Sequence, residues 1–232
     1  MGASPAYLLP LLQLSDSALP TGGFSHSFGM ETYLATGVVH DEVTFAQWLH
    51  VYIARQLTCC DGLAIRFAYE ALDGGRGVDE LVRLDRELAA QALPRQVRTA
   101  ASTMGRRMAD IGETVCDSEV LARYRAAIDD GRAAGHPALA YAVVAHASGA
   151  PADAAIEAFL FATASSLTQN AVRGIPIGQN AGQRVQRGVY PVIATAVVET
   201  RRLTRDDLGA VAPGLEIAQM RHERQRARMF MS

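Results

Sequence analysis

Apolar residues recur along this chain with a helical period almost throughout. Phe45, Trp48, Leu49, Tyr52, Ile53 and Leu57 fall at i, i+3, i+4, i+7, i+8 and i+12, one continuous stripe. Asp41 stands where that helix needs an N-cap. Leu63, Phe67 and Ala71 prolong the stripe until Asp73, Gly74 and Gly75 break it. Leu81, Leu84 and Leu88 predict the next helix, with Asp79 near its start and Pro94 interrupting after it. Val97, Ala101, Met104, Met108 and Ile111 predict another, ending at Gly112. Val120, Leu121, Tyr124 and Ile128 mark a short amphipathic helix stopped by Gly131.

The second half is more apolar. Pro137 opens a helix through Leu139, Ala140, Val143, Val144 and Ala147 that Gly149 closes, the usual asymmetry of proline at the start and glycine at the stop. Pro151 opens the next, with Ile156, Phe159, Leu160, Thr163, Ala164, Leu167 and Ala171 on its stripe. No charge falls between Glu157 and Arg173, so this helix, about 152–173, is expected to be buried on most sides. At about 33 Å it would cross a whole domain. A last long segment over 183–203 is expected to kink at Pro191. No alternating strand, internal repeat or low-complexity linker is visible. The pattern predicts an all-α fold: one domain over 1–232, a helical bundle around the central helix 152–173, with 1–10 and 221–232 as flexible termini.

Composition narrows the function. All 22 basic residues are arginine and none is lysine. A phosphate-binding loop of the Walker type and pyridoxal chemistry both need a lysine, so neither is expected here, and no cofactor is implied. A net charge of −2 argues against a nucleic-acid binder. No run of 18 apolar residues is present to span a membrane. The N-terminus lacks the positive region of a signal peptide, and Ala6 breaks the myristoylation pattern. Cys59, Cys60 and Cys116 form no CxxC spacing, which reads as reduced thiols in a cytoplasmic protein. The adjacent Cys59 and Cys60 suit a soft metal, but in an apolar helix such residues are more often small core side chains.

Charge is concentrated at the C-terminus. Residues 215–232 read LEIAQMRHERQRARMFMS. Arg221, Arg224, Arg226 and Arg228 surround His222 and Glu223, and Met220, Met229, Phe230 and Met231 are interleaved with them. A solvated tail has little use for the apolar residues; the mixture is that of a docking segment. Arg173–Arg184 reads RGIPIGQNAGQR, a tight break that would present Arg173, Gln179 and Arg184 to a partner, or simply join two helices. Ser25, His26 and Ser27 lack a nucleophile elbow, and no histidine pair has zinc-protease spacing, so no catalytic residue and no metal site are assigned.

Three segments together resemble the urease accessory protein F (UreF) family: LLQLSDSALPTGGFSHSFGME (11–31), AVRGIPIGQNAGQR (171–184) and APGLEIAQMRHERQRARMF (212–230). GHPALAYAVVAHASG (135–149) is also similar to the family's segment before its central helix. The resemblance implies a non-enzymatic, dimerising, all-helical protein. It would bridge the nickel-carrying GTPase UreG and UreD (UreH in some species), which docks the assembly on apo-urease. It would thereby modulate the GTPase and support nickel insertion. It further implies that Arg173 faces the GTPase, and that the tail, through Met220, Arg221, His222, Glu223, Arg224, Arg228 and Phe230, docks on UreD/UreH. Glu31 and His222 match positions on an internal nickel path; carboxylate and imidazole suit an ion that must also leave. Alternatively Glu31 pairs with an arginine. The chain departs from the family at Gln96 and Thr99, where many relatives carry glutamate, which leaves an acidic lining of that helix open. Competing readings are a stand-alone nickel-binding metallochaperone and a hydrolase using Glu31 or His222.

Overall fold

The computed structural model describes residues 4–209 and 212–231. Among these, every regular element is helical and there is no strand. A short helix α1 (Leu8–Leu14) starts within the stretch 1–10 and buries Leu11 and Leu14. A glycine-rich turn leads to α2 (Met30–Ala35), whose N-cap Gly29 has φ +91°. A Cβ there would also lie 2.7 Å from the Gln219 side chain, so glycine is required twice over.

Helix α3 (Glu42–Tyr52) begins as expected at Asp41, in a full capping box with Thr44. It runs without a break through the π-helical segment Ile53–Gly62 into α4 (Leu63–Asp73). Then come α5 (Gly77–Gln91), α6 (Arg95–Val115) and α7 (Glu119–Asp129). Helix α6 does not stop at Gly112. That glycine is buried against α8 (Pro137–Ala147), where a Cβ would come within 2.4 Å of Val144 Cγ2 and 2.8 Å of Leu121 Cδ2. Its role is close helix approach rather than termination.

Every residue of α8 from Ala138 to Ala145 is buried, and the helix packs against α4, α6, α7 and α9 (Ala152–Gly174). Along α9 only Glu157 and Arg173 are exposed. The expected kinked helix over 183–203 is two helices, α10 (Gln179–Gly188) and α11 (Tyr190–Thr200), meeting at Val189. Pro191 lies in the first turn of α11, where its missing N–H costs nothing but cannot continue the rod before it. Helix α12 (Pro213–His222) packs on α2 and α6 and carries the C-terminal tail. Most of the buried apolar side chains form one contiguous cluster that runs from Leu11 to Leu215. No helix among the described residues is long and apolar enough to cross a membrane.

Candidate functional site

The tail, read from sequence as flexible from 221, folds back over the start of α2 and the end of α9. Its apolar residues supply the reason: Phe230 is buried, and His222, the last residue of α12, is fully enclosed. Both meet Glu31, itself 5% exposed on the first turn of α2. His222 Nε2–H donates to Glu31 Oε2 at 2.8 Å. The Phe230 backbone N–H donates to the same oxygen at 3.1 Å, and the Met229 N–H donates to Oε1. A buried carboxylate is retained only where donors replace water, and here three come from the tail. Glu31 does not pair with an arginine among the described residues.

Further contacts tie the tail to the body. His222 Nδ1 faces Gln96 Oε1 at 3.2 Å. The Gln96 backbone N–H donates to Glu223 Oε1 at 3.2 Å, and Arg95 pairs with Glu223 at 3.3 Å. Gln225 Nε2 donates to Thr32 Oγ1 at 3.1 Å, and Thr32 Oγ1 donates to Ala218 O at 2.8 Å. The Met231 N–H donates to Ser25 O at 2.9 Å.

Arg173, on the last turn of α9, joins this cluster. Its guanidinium lies 5.7 Å from the Phe24 ring centre and 5.4 Å from that of Phe230. It donates to Phe24 O at 3.0 Å and to the Asn170 side chain, whose Nδ2 donates to His26 O at 2.8 Å. The 23–31 segment, the end of α9 and the tail are therefore one unit. Met220, Arg221, Arg224, Arg226 and Arg228 are exposed on it, while His222 and Phe230 face inward. Gln179 and Arg184 stand apart on α10. Gln179 is exposed, and Arg184 holds Glu42 with two bonds of 2.9 and 2.6 Å.

The donor set defines what the site can do with a metal. Glu31 and His222 offer one carboxylate and one imidazole. Among the described residues no group of three or more His, Cys, Asp or Glu is placed to hold a metal ion. Cys60 Sγ donates to Gly209 O at 2.9 Å, and burial pushes its thiol far above the ordinary range. A protonated, hydrogen-bonded thiol is a poor ligand, so Cys60 is a core side chain.

A family model for UreF matches residues 39–190. The chain is 55% identical to the urease accessory protein UreF of Arthrobacter sp. (strain FB24) over the full length of both. The chain belongs to the UreF family of urease accessory proteins. The UreF proteins of Paenarthrobacter aurescens (strain TC1) and Kocuria rhizophila are 52% and 49% identical to it, each over 99% of this chain. Those alignments cover 100% and 98% of the two relatives, so both UreF sequences extend across the Glu31 turn and the tail as well as the family-model region. The relatives carry the name of an accessory protein rather than of an enzyme.

Proposed function

We propose that this chain is a non-enzymatic scaffold of urease maturation in the cytoplasm. As a homodimer it bridges the nickel-carrying GTPase UreG and the urease-docking UreD/UreH, and it modulates the GTPase. The observation that carries this reading is the seating of the tail. Residues 229–231 turn amides and the Phe230 ring into the body, which leaves Arg221, Arg224, Arg226 and Arg228 pointing outward from an anchored support. Rigidly mounted arginine forks suit an acidic or carbonyl-rich protein surface. Arg173 lies beside the same support, so the GTPase face and the UreD/UreH face adjoin. Family membership supports the same reading.

Nickel would pass as cargo, exchanging the Glu31–His222 hydrogen bond for brief ligation by both groups. Two ligands favour passage over storage. The stand-alone metallochaperone therefore predicts an affinity that this donor set does not supply. Size-exclusion chromatography with light scattering, on the chain alone and with cognate UreD/UreH and UreG, tests the bridge. A complex holding two copies of each component is expected. Failure to co-elute under every nucleotide and nickel condition would overturn it, and tight stoichiometric Ni²⁺ binding by the isolated chain would favour the metallochaperone.

A further inference from the structure

Met229, Phe230 and Met231 lie as a strap across the Glu31–His222 pair. Glu31 Oε1 accepts from the Met229 N–H, while Oε2 accepts from the Phe230 N–H at 3.1 Å and from His222 Nε2–H at 2.8 Å. The strap is pinned beyond the pair as well. The Met231 N–H donates to Ser25 O at 2.9 Å, and Ser25 Oγ donates to Met231 Sδ at 3.4 Å. Met229 Cε and Phe230 Cε2 rest against Gly174, 3.6 and 3.8 Å from where its Cβ would stand. The result is near-complete enclosure, with His222 0% and Glu31 5% exposed.

Enclosure and bonding both keep an ion out. Two protein ligands cannot fill the shell of a divalent transition metal, so an ion held here also keeps water, which needs space. His222 Nε2 carries the proton that it donates to Glu31 and has no lone pair to offer. The acceptor for the other tautomer is in place, since Gln96 Oε1 stands 3.2 Å from Nδ1. A proton on Nδ1 instead frees Nε2, the arrangement in which a ligating imidazole donates its other N–H to a fixed acceptor. Helix α12 need not move for this. Gln225 Nε2 is bonded to Thr32 Oγ1, and Thr32 Oγ1 to Ala218 O, which hold α12 and the turn after it on α2. Arg226, Ala227 and Arg228, between Gln225 and the strap, are exposed.

We propose that residues 229–231 are a gate on the Glu31–His222 site: seated, they close it to a divalent cation; lifted about 226–228, they open it while α12 stays docked. An ion that enters must displace two amides and the Phe230 ring. The apparent affinity of the site is therefore reduced by the fraction of chains in which the gate stands open. The choice of ion rests on the reading of nickel as cargo, but the gate is a property of the isolated chain.

Calorimetry of Ni²⁺ binding to the untagged full chain and to a truncation after Arg228 tests this with no partner present. Truncation is expected to tighten binding about tenfold or more, because it removes the competing donors and leaves Glu31 and His222 in place. Glu31→Gln in the truncated chain should abolish the gain. By reciprocity, Ni²⁺ should speed hydrogen exchange at the Met229 and Phe230 amides of the full chain. Equal affinity with and without the strap overturns the gate, as does exchange at those amides that Ni²⁺ leaves unchanged. A gain that survives Glu31→Gln does so too, by placing the ion elsewhere. Should the truncated chain fail to fold, Phe230→Ala in the full chain takes its place, and an unchanged affinity there is the refuting result. Co-elution with UreD/UreH and UreG is scored separately, so a failed gate and a failed bridge are told apart.

Discussion

Glu31 is the residue on which the candidate site turns. One carboxylate satisfies an imidazole N–H and two backbone N–H groups of the tail. Glu31→Gln keeps the shape but replaces an acceptor oxygen with an NH₂ that faces donors. It should weaken tail docking by about 1–3 kcal/mol, the cost of leaving a buried polar group unsatisfied. Faster trypsin cleavage at Arg221, Arg224, Arg226 and Arg228, with far-UV circular dichroism unchanged, would register it; unaltered cleavage would show that the carboxylate does not hold the tail. Arg173→Ala removes the guanidinium between Phe24 and Phe230. It should release the Phe230 end of the tail and alter the proposed coupling to the GTPase while the fold persists. Wild-type coupling in that variant would detach Arg173 from the GTPase face.

At the scale of elements, the helix stripes were readable because burial repeats every 3.6 residues whatever the neighbours are. Boundaries were harder where glycine serves packing instead of termination. Gly105 shows the same use as Gly112: a Cβ on it would lie 1.9 Å from Gly135 O, which is backbone and cannot swing aside. Gly105→Ala should therefore cost about 1–3 kcal/mol by overpacking. Gly188→Ala, where the nearest atom is 3.9 Å away, should be neutral or slightly stabilising. Urea denaturation of the two variants gives the comparison, and equal midpoints would contradict the close α6–α8 approach. The π-helical register of Ile53–Gly62 left no mark in the pattern, since Ile53 and Leu57 continue the α-helical stripe unbroken.

For the whole molecule, Asp61 and His136 set opposing pH dependences. Asp61 is raised from 3.8 to about 7, so the native state holds a proton that the unfolded chain gives up above pH 4. Stability from this group is full below about pH 4 and falls as pH rises to 7. Burial lowers His136 from 6.5 to about 4, so the unfolded chain takes up a proton that the native state refuses. Its contribution falls as pH drops from 6.5 toward 4. The two nearly cancel over that window. In Asp61→Asn the contribution that offsets His136 is removed, and stability should rise more steeply from pH 4 to 6.5 than in the wild type. Denaturant midpoints across that range measure it, and a flat profile in the variant would remove His136 from the account. Truncation after Glu223 keeps the Glu31–His222 bond but strips the amides and ring that seat the tail. It should abolish co-elution with UreD/UreH and leave the helical content almost intact; retained co-elution would place the docking surface elsewhere.

The sequence alone determined the helical class and the approximate place of the helices between about 41 and 203, because these follow from local periodicity and residue type; α1, α2 and α12 had no such stripe to mark them. The interleaved arginine and apolar residues marked the tail as more than a solvated end. Which way each tail side chain faces was decided only in three dimensions. Glu31 and His222 lie 191 positions apart, and no local pattern pairs them. Sequence marked His222 and Phe230 together with the tail arginines, yet the fold turns the first two inward and leaves the arginines out. Asp61 sits in an ordinary helical stretch by sequence, and only the packed fold places it on a cavity that, among the described residues, no arginine lines. Burial and long-range pairing are properties of the packed chain, so these choices wait for tertiary structure.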